Sequence, residues 1–335
     1  MASELTSVAD DEAVVHVDGE ARVHDGLSPD TDYEIDGHHF RTFPDLGERL
    51  ATVATVNDVH FGETICGVLE GYDGGPTFES APGDDPYPDV MNRSVIADIQ
   101  AIEPDAVVAK GDLTTHGIRE EYDAFLANYG AAFGDRLLHV RGNHDAYAGE
   151  TFAADAPVAR ELPGVVLAVI DTVIPVHTPG QVTPEQLEWL DDVGASADRP
   201  VLVFGHHHVW SPSSAHRPDT YFGINPDDSE ALIDVFARRP RLAGYFAGHT
   251  HRNRVRHIPA TGDRPWVEVA CVKDFPGAWA EYRVFERGIL QVQRRASAPD
   301  AVAWAEQTRA MYGGGYVDYA FGALEDRCFT VGTTE

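Results

Sequence analysis

Short apolar runs rich in β-branched residues recur along the chain: LATVATV (50–56), DAVVAK (105–110), RLLHVR (136–141), VVLAVI (165–170), PVLVF (200–204), LAGYFA (242–247) and WVEVACV (266–272). Each predicts a strand. Between most of them lie segments with helical periodicity, at 90–102, 118–133, 183–195 and 228–239. The third is well marked at its start, with Thr183 as N-cap, Pro184 at the first helical position and Gln186 at the capping-box position. Strands alternating with helices imply α/β architecture with much parallel sheet. The tail breaks this rhythm: 280–296 predicts a hairpin turning at Arg287 and Gly288, and 301–313 predicts a helix within a C-terminal extension over 296–335.

The first 48 residues follow another pattern. Leu27, Pro29 and Tyr33 have the L-x-P-x-T-x-Y spacing, which resembles the tyrosine corner of fibronectin type III sandwiches. A complete sandwich of that kind takes about 100 residues. Fewer than half are present, so 1–48 is expected to be a partial β appendage without a catalytic role, with His38 and His39 on its surface.

Length suits one large α/β domain with appendages or two smaller domains, and composition suits a folded core: 335 residues, 43% hydrophobic and 10% aromatic. Charge is the anomaly. Acidic residues number 55 against 25 basic ones, a formal net charge of −30, and Lys110 and Lys273 are the only lysines. Self-repulsion on this scale is tolerated best where salt screens it, the Debye length falling to about 3 Å at 1 M. The composition therefore predicts a protein adapted to a salty cytoplasm, with a surface that repels nucleic acid at low salt. Cys66, Cys271 and Cys328 are far apart and odd in number, which is consistent with a reducing compartment. The start, MASELTSVADDEAVVHV, is acidic where a signal peptide would be basic and then apolar. No apolar run approaches the roughly 20 residues that span a bilayer.

Candidate chemistry sits directly after the predicted strands. Asp58 and His60 follow the first; Asp112 follows the second in GDLTTHG; Asn143, His144 and Asp145 follow the third in GNHD. GHHH, with His206, His207 and His208, follows PVLVF, and GHTH, with His249 and His251, follows LAGYFA. Carboxyl ends of strands are where open α/β sheets bind ligands. Nitrogen and oxygen donors on both sides of a shared carboxylate suit two divalent ions about 3.5–4 Å apart, which clamp the oxygens of a displacement at phosphorus.

The ordered set D-x-H, G-D, G-N-H-D, G-H and G-H-T-H resembles the calcineurin-like metallophosphoesterase family over residues 50 to about 275. GDLTTHGIREEYDAF resembles its cyclic-nucleotide and glycerophosphodiester phosphodiesterase branch. The resemblance implies a four-layer α-β-β-α sandwich for 49–295 and two divalent ions, Mn, Fe or Zn. It implies Asp58, His60 and His251 on one ion, Asn143, one histidine of the triplet and His249 on the other, and Asp112 between them. A hydroxide bridging the ions would be the nucleophile; His144 would bond the phosphate or the leaving oxygen, with Asp145 orienting it. Counting from Gly205 favours His206 over His207 as the ligand, although His208 stands where relatives carry proline. His208 is then expected either behind the ligands or in the cleft beside the substrate. The insertion 62–90 is either a substrate-facing loop or a surface excursion.

The expected activity is hydrolysis of small phosphodiesters. A phosphomonoesterase or nucleotidase of the same fold is the alternative, and a non-catalytic metal-binding scaffold is disfavoured by the intact donor set. The acidity sets one expected outcome: the melting temperature rises between dilute buffer and molar KCl. Thermal unfolding in the two buffers checks this, and an unmoved midpoint counts against salt adaptation.

Overall fold

The computed structural model describes residues 3–68 and 74–332. Part of the 62–90 insertion, residues 69–73, lies outside them. Strands β1 (Ser3–Val8), β2 (Ala13–Val17) and β3 (Glu20–His24) form an antiparallel sheet, and β4 (Asp32–Ile35) and β5 (His38–Arg41) form a hairpin. Both two-residue turns are Asp-Gly, at Asp18–Gly19 and Asp36–Gly37, with all four residues at positive φ as such hairpins require. Tyr33 Oη accepts the Ser28 amide at 2.8 Å, the upstream backbone bond expected of a tyrosine corner. This region is docked on the rest of the chain by charge. The Arg283 guanidinium donates to Asp10 and Asp11 at 2.7 and 2.6 Å, and it also reaches Glu12.

The remaining elements run β6 (Arg49–Val56), α1 (Tyr87–Ala101), β7 (Ala106–Lys110), α2 (Arg119–Phe125), α3 (Ala131–Phe133), β8 (Leu137–Val140), β9 (Val158–Leu162), β10 (Val165–Val169), α4 (Pro184–Ser196) and β11 (Val201–Phe204). They continue as α5 (Pro226–Arg238), β12 (Leu242–Ala247), β13 (Arg254–His257), β14 (Pro265–Glu268), β15 (Ala278–Phe285), β16 (Gly288–Arg295), α6 (Pro299–Thr308), α7 (Tyr316–Phe321), α8 (Leu324–Arg327) and β17 (Cys328–Val331). One six-stranded sheet has the order β17-β16-β15-β6-β7-β8 and the other β13-β14-β12-β11-β10-β9. Within them β6-β7-β8 and β10-β11-β12-β14 are parallel.

Strand period explains the layering. Ala51, Val53, Val165, Leu167 and Val169 point into the core shared by the two sheets. Their neighbours turn outward: Ala54 and Val56 pack with Val95 and Ile99 of α1, and Val166 and Ala168 with Leu190 of α4 and Leu232 of α5. Because both faces are covered, these strands read as unbroken apolar runs. The result is the four-layer α-β-β-α sandwich. Thr183 caps α4, accepting from Gln186 N.

Two expectations differ in detail. The 280–296 hairpin pairs Phe285 with Gly288, so its turn is Glu286–Arg287, one residue earlier than expected. The extension 296–335 is not only helical, since β17 adds an edge strand to β16. No helix among the described residues is long and apolar enough to cross a membrane.

Candidate metal centre

The carboxyl ends of β6, β7, β8, β11 and β12 meet at one rim of the sandwich, and their loops carry the polar residues singled out from the sequence. Asp58, His60, Asp112, Asn143, His206 and His249 are buried there, while His144 and His251 are half-buried. Asp58, His60, Asp112, His249 and His251 all have left-handed backbone, with φ between 46° and 68°. Such non-glycine residues are uncommon and gather where surrounding structure over-determines them. The glycines explain how the loops come so close. A Cβ on Gly142 would lie 2.2 Å from Asp112 Oδ1, and one on Gly111 would lie 2.6 Å from His206 Nδ1.

Hydrogen bonds determine which ring nitrogens face inward. His206 Nδ1 donates to Lys110 O at 2.8 Å, so Nε2 points at Asn143 Oδ1 (3.1 Å) and Asp112 Oδ2 (3.3 Å). His249 donates Nε2–H to Phe222 O at 2.7 Å and keeps Nδ1 for the interior. Asn143 Nδ2 donates to Tyr147 Oη at 2.7 Å, which turns its Oδ1 toward His206. His251 Nε2 lies 3.2 Å from Asp58 Oδ1. Asp58, His60 and His251 have ligand atoms within 4.8 Å of one another, as do Asp58, Asp112 and His206.

The donor set fits divalent ions on its own chemistry. Both ring nitrogens of buried His60 lack a hydrogen-bond partner among the described residues. Burial, reinforced by Lys273 and the neighbouring imidazoles, holds this ring well below its ordinary pKa, so it stays neutral. A neutral, unsatisfied imidazole is a good transition-metal ligand. Burial would also lower His206, but the Asp112 carboxylate outweighs it and raises the group to about 9. A proton there does what a bound cation would do, separating Nε2 from two oxygens. Burial pushes Asp58 up, but His251, His206 and the Asn57 amide together outweigh it and hold the carboxyl well below the usual carboxylate range.

The histidine triplet divides three ways. His206 enters the cluster. His207 is held by Thr172 Oγ1 at 2.8 Å on Nδ1 and by Thr178 O at 3.0 Å on Nε2, so both nitrogens are engaged although its ring adjoins His206 and His249. His208 takes the place behind the wall rather than the one in the cleft beside the substrate, buried with Nε2 on Tyr221 Oη at 2.9 Å. Asp145 also departs from expectation. Its carboxylate accepts the amides of Leu113, Thr114 and Gly142 and the Thr114 hydroxyl at 2.7–3.1 Å, without touching the His144 ring. Burial and the nearby Asp112 raise it to about 6. The His144 ring is oriented by Thr115 O, which accepts from Nδ1 at 2.8 Å and leaves Nε2 for the cleft. His116 is exposed and paired with Glu121.

A cleft of about 720 Å³ opens above the cluster, lined by His60, Asp112, Asn143, His144, His249 and His251. Several lining residues were not legible from the motifs. Lys273 lies there with its ammonium on both Glu63 oxygens at 2.6 and 2.7 Å, Glu63 coming from the 62–90 insertion. Tyr312, Tyr316 and Tyr319 reach the cleft from the C-terminal extension. The tyrosines of MYGGGYVDYA (311–320) carry no motif signal; only their repetition between 312 and 319 could have drawn attention. Arg252, directly after the GHTH motif, is committed to Glu268 at 2.8 Å.

Two packed sheets with this rim of carboxylates and imidazoles define a metallophosphoesterase architecture. Residues 51–253 match the calcineurin-like phosphoesterase family, and the chain belongs to it. A cAMP/cGMP dual specificity phosphodiesterase of Mycobacterium tuberculosis is 30% identical over 161 residues, 45% of this chain and 49% of that one. A glycerophosphodiester phosphodiesterase of Enterobacter lignolyticus is 27% identical over 181 residues, 48% of this chain and 61% of that one. The chain thus spans about half to three-fifths of these relatives. In fold, a dimetal phosphatase from Danio rerio superposes with a TM-score of 0.56 at 16% identity, covering 74% of this chain and 97% of that chain.

The contact at Gly142 generates a test. Gly142→Ala forces the Asp112 carboxylate to move, so manganese or zinc uptake measured by elemental analysis falls by at least half while far-ultraviolet circular dichroism is retained. Full uptake in the variant would show that this loop approach is dispensable.

Proposed function

We propose that this chain is a divalent-metal-dependent phosphoric ester hydrolase that cleaves small phosphodiesters in preference to monoesters. The observation that carries the reading is the convergence of seven donors from five strand-end loops at one rim, with the buried ring nitrogens of His60 lacking a hydrogen-bond partner among the described residues. Asp58, His60 and His251 would hold one ion, Asn143, His206 and His249 a second, and Asp112 would face both. When bound, divalent ions supply charge neutralisation at the phosphoryl oxygens and lower the pKa of water. His144, anchored through Nδ1, presents Nε2 to protonate the departing oxygen. Asp145 acts at a distance, pinning the 113–114 and 142 amides so that Asp112 and Asn143 keep their places.

Electrostatics supports the diester. Lys273 is the only lysine or arginine among the described cleft residues, and Glu63 neutralises it. Glu63, Asp112 and Asp274 make the lining anionic. A diester brings one negative charge to this wall and a monoester nearly two. The net charge of −30 with two lysines supports a salt-adapted, cytoplasmic setting. The activities for which the relatives are named, on cAMP/cGMP and on glycerophosphodiesters, favour the same bond class.

The test uses metal-reconstituted full chain in molar KCl, with manganese and then zinc. Bis(p-nitrophenyl) phosphate is expected to show higher kcat/KM than p-nitrophenyl phosphate with either metal; a clear monoester preference with both would reassign it as a phosphatase. Asp112→Ala should lose metal at both positions. His144→Ala should keep metal and lower kcat by about 10²–10⁴, the usual scale for a lost general acid.

A further inference from the structure

The reacting centre occupies only part of the cleft, and five further lining residues, Tyr147, Phe222, Tyr312, Tyr316 and Tyr319, are aromatic. Of the eight large hydrophobic side chains that stand well exposed on the described surface, Val68, Tyr147, Phe222 and Tyr319 line this one cleft. On a chain carrying −30 net charge, that concentration marks a binding surface. The rings are also immobilised. Tyr319 donates its hydroxyl to Thr250 O at 2.9 Å, and the Arg252 guanidinium lies 5.2 Å from its ring centroid. Tyr147 has its hydroxyl on Asn143 and Thr178 at 2.7 and 3.0 Å. Phe222 stacks on His249, centroids 4.1 Å apart and planes 28° from parallel. With their polar ends satisfied inside the protein, these side chains offer ring faces rather than hydroxyls to a ligand. Thr250, buried in the same wall, carries a hydroxyl without a hydrogen-bond partner among the described residues. Such a group regains its lost solvation only when something bonds it.

We infer that this wall is a subsite for a planar heteroaromatic substituent of the phosphodiester, a nucleobase, with Phe222 and Tyr319 as stacking surfaces and Thr250 as the polar contact. Phe222 and Thr250 lie within the family match, whereas Tyr319, like Tyr312 and Tyr316, lies beyond residue 253, so one face of the subsite comes from this chain's C-terminal extension. Fixed aromatic faces favour a base over a flexible glycerol headgroup because base–aromatic stacking needs little ordering and tolerates any base. The volume of about 720 Å³ is ample for a nucleotide.

For turnover the inference rests on the proposed hydrolase reading, so binding is measured separately. Isothermal titration of the metal-reconstituted chain in molar KCl is run with adenosine 5′-monophosphate and with glycerol 3-phosphate. The nucleotide should bind at least ten-fold tighter. Phe222→Leu, which keeps apolar bulk but removes the flat ring, and Tyr319→Ala should each shrink that ratio at least five-fold, and Tyr319→Phe should restore it. Should Tyr319→Ala fail to fold, Phe222→Leu decides alone. Equal affinities in the unaltered chain, or a ratio unmoved by Phe222→Leu, overturn the subsite whatever is hydrolysed. Preference for the nucleotide without hydrolysis of any ester upholds the subsite and overturns the hydrolase reading instead.

Discussion

Asp58 accepts the His249 amide at 3.0 Å, and this bond joins the loop after β6 to the loop after β12. It belongs to a polar seam along one end of the sandwich. Lys110 Nζ donates to Ala247 O at 3.0 Å, His206 Nδ1 to Lys110 O at 2.8 Å, and Asn57 Nδ2 to Val269 O at 3.1 Å. Elsewhere the two sheets meet through apolar side chains, aliphatic and aromatic, whose contacts are not directional hydrogen bonds; here they meet through directional bonds between charged or amide groups. The left-handed backbone at Asp58, Asp112 and His249 persists because both sheets constrain it. The candidate metal centre is therefore the place where sheet-to-sheet register is set most tightly.

Charge is distributed to the same end. The chain has two lysines, and both are buried at the seam or the cleft, Lys110 bonding across the sheets and Lys273 neutralised by Glu63. Burial pulls the Lys110 ammonium down to about 7, with Asp58 opposing. Arginine serves elsewhere, in networks such as Arg283 and Arg294 with Glu281 and Glu12, which hold the N-terminal strands to β15 and β16. A bidentate guanidinium suits such carboxylate clusters, whereas a compact ammonium suits a narrow internal gap. An acidic chain thus keeps its scarce ammonium groups where the fold needs a buried cation.

The C-terminal extension changes what the cleft is. Read along the chain it is a helix and an irregular tail. In space α6 packs on α1, β17 completes a sheet, and the turn after α6 together with α7 brings Tyr312, Tyr316 and Tyr319 to the cleft. Asp274 secures it, accepting Tyr316 Oη at 2.6 Å and Cys271 Sγ at 2.9 Å. One wall of the cleft comes from residues more than fifty positions past the last metal-competent histidine, His251.

Local chemistry alone determined the alternating strands and helices, the Thr183 cap, the Asp-Gly turns and the order of the polar loops, since each depends on neighbours within a few positions. The same holds for the choice of donors, because D-x-H and G-H-T-H place their residues on single loops. What needed tertiary structure depends on groups distant in sequence. His206 is separated from His207 by the Lys110 carbonyl 96 residues away, which fixes one tautomer, and by Thr172 and Thr178, which occupy the other ring. His208 is drawn behind the wall by Tyr221, and Asp145 is turned from His144 by amides of the β7 loop. Lys273 and the three tyrosines carry no motif; they reach the cleft only because β14 leaves its sheet at Glu268 and the tail folds back across the rim. Ring orientation and cleft lining follow from which carbonyls and amides the packed sheets bring within 3 Å, and no sequence pattern records that.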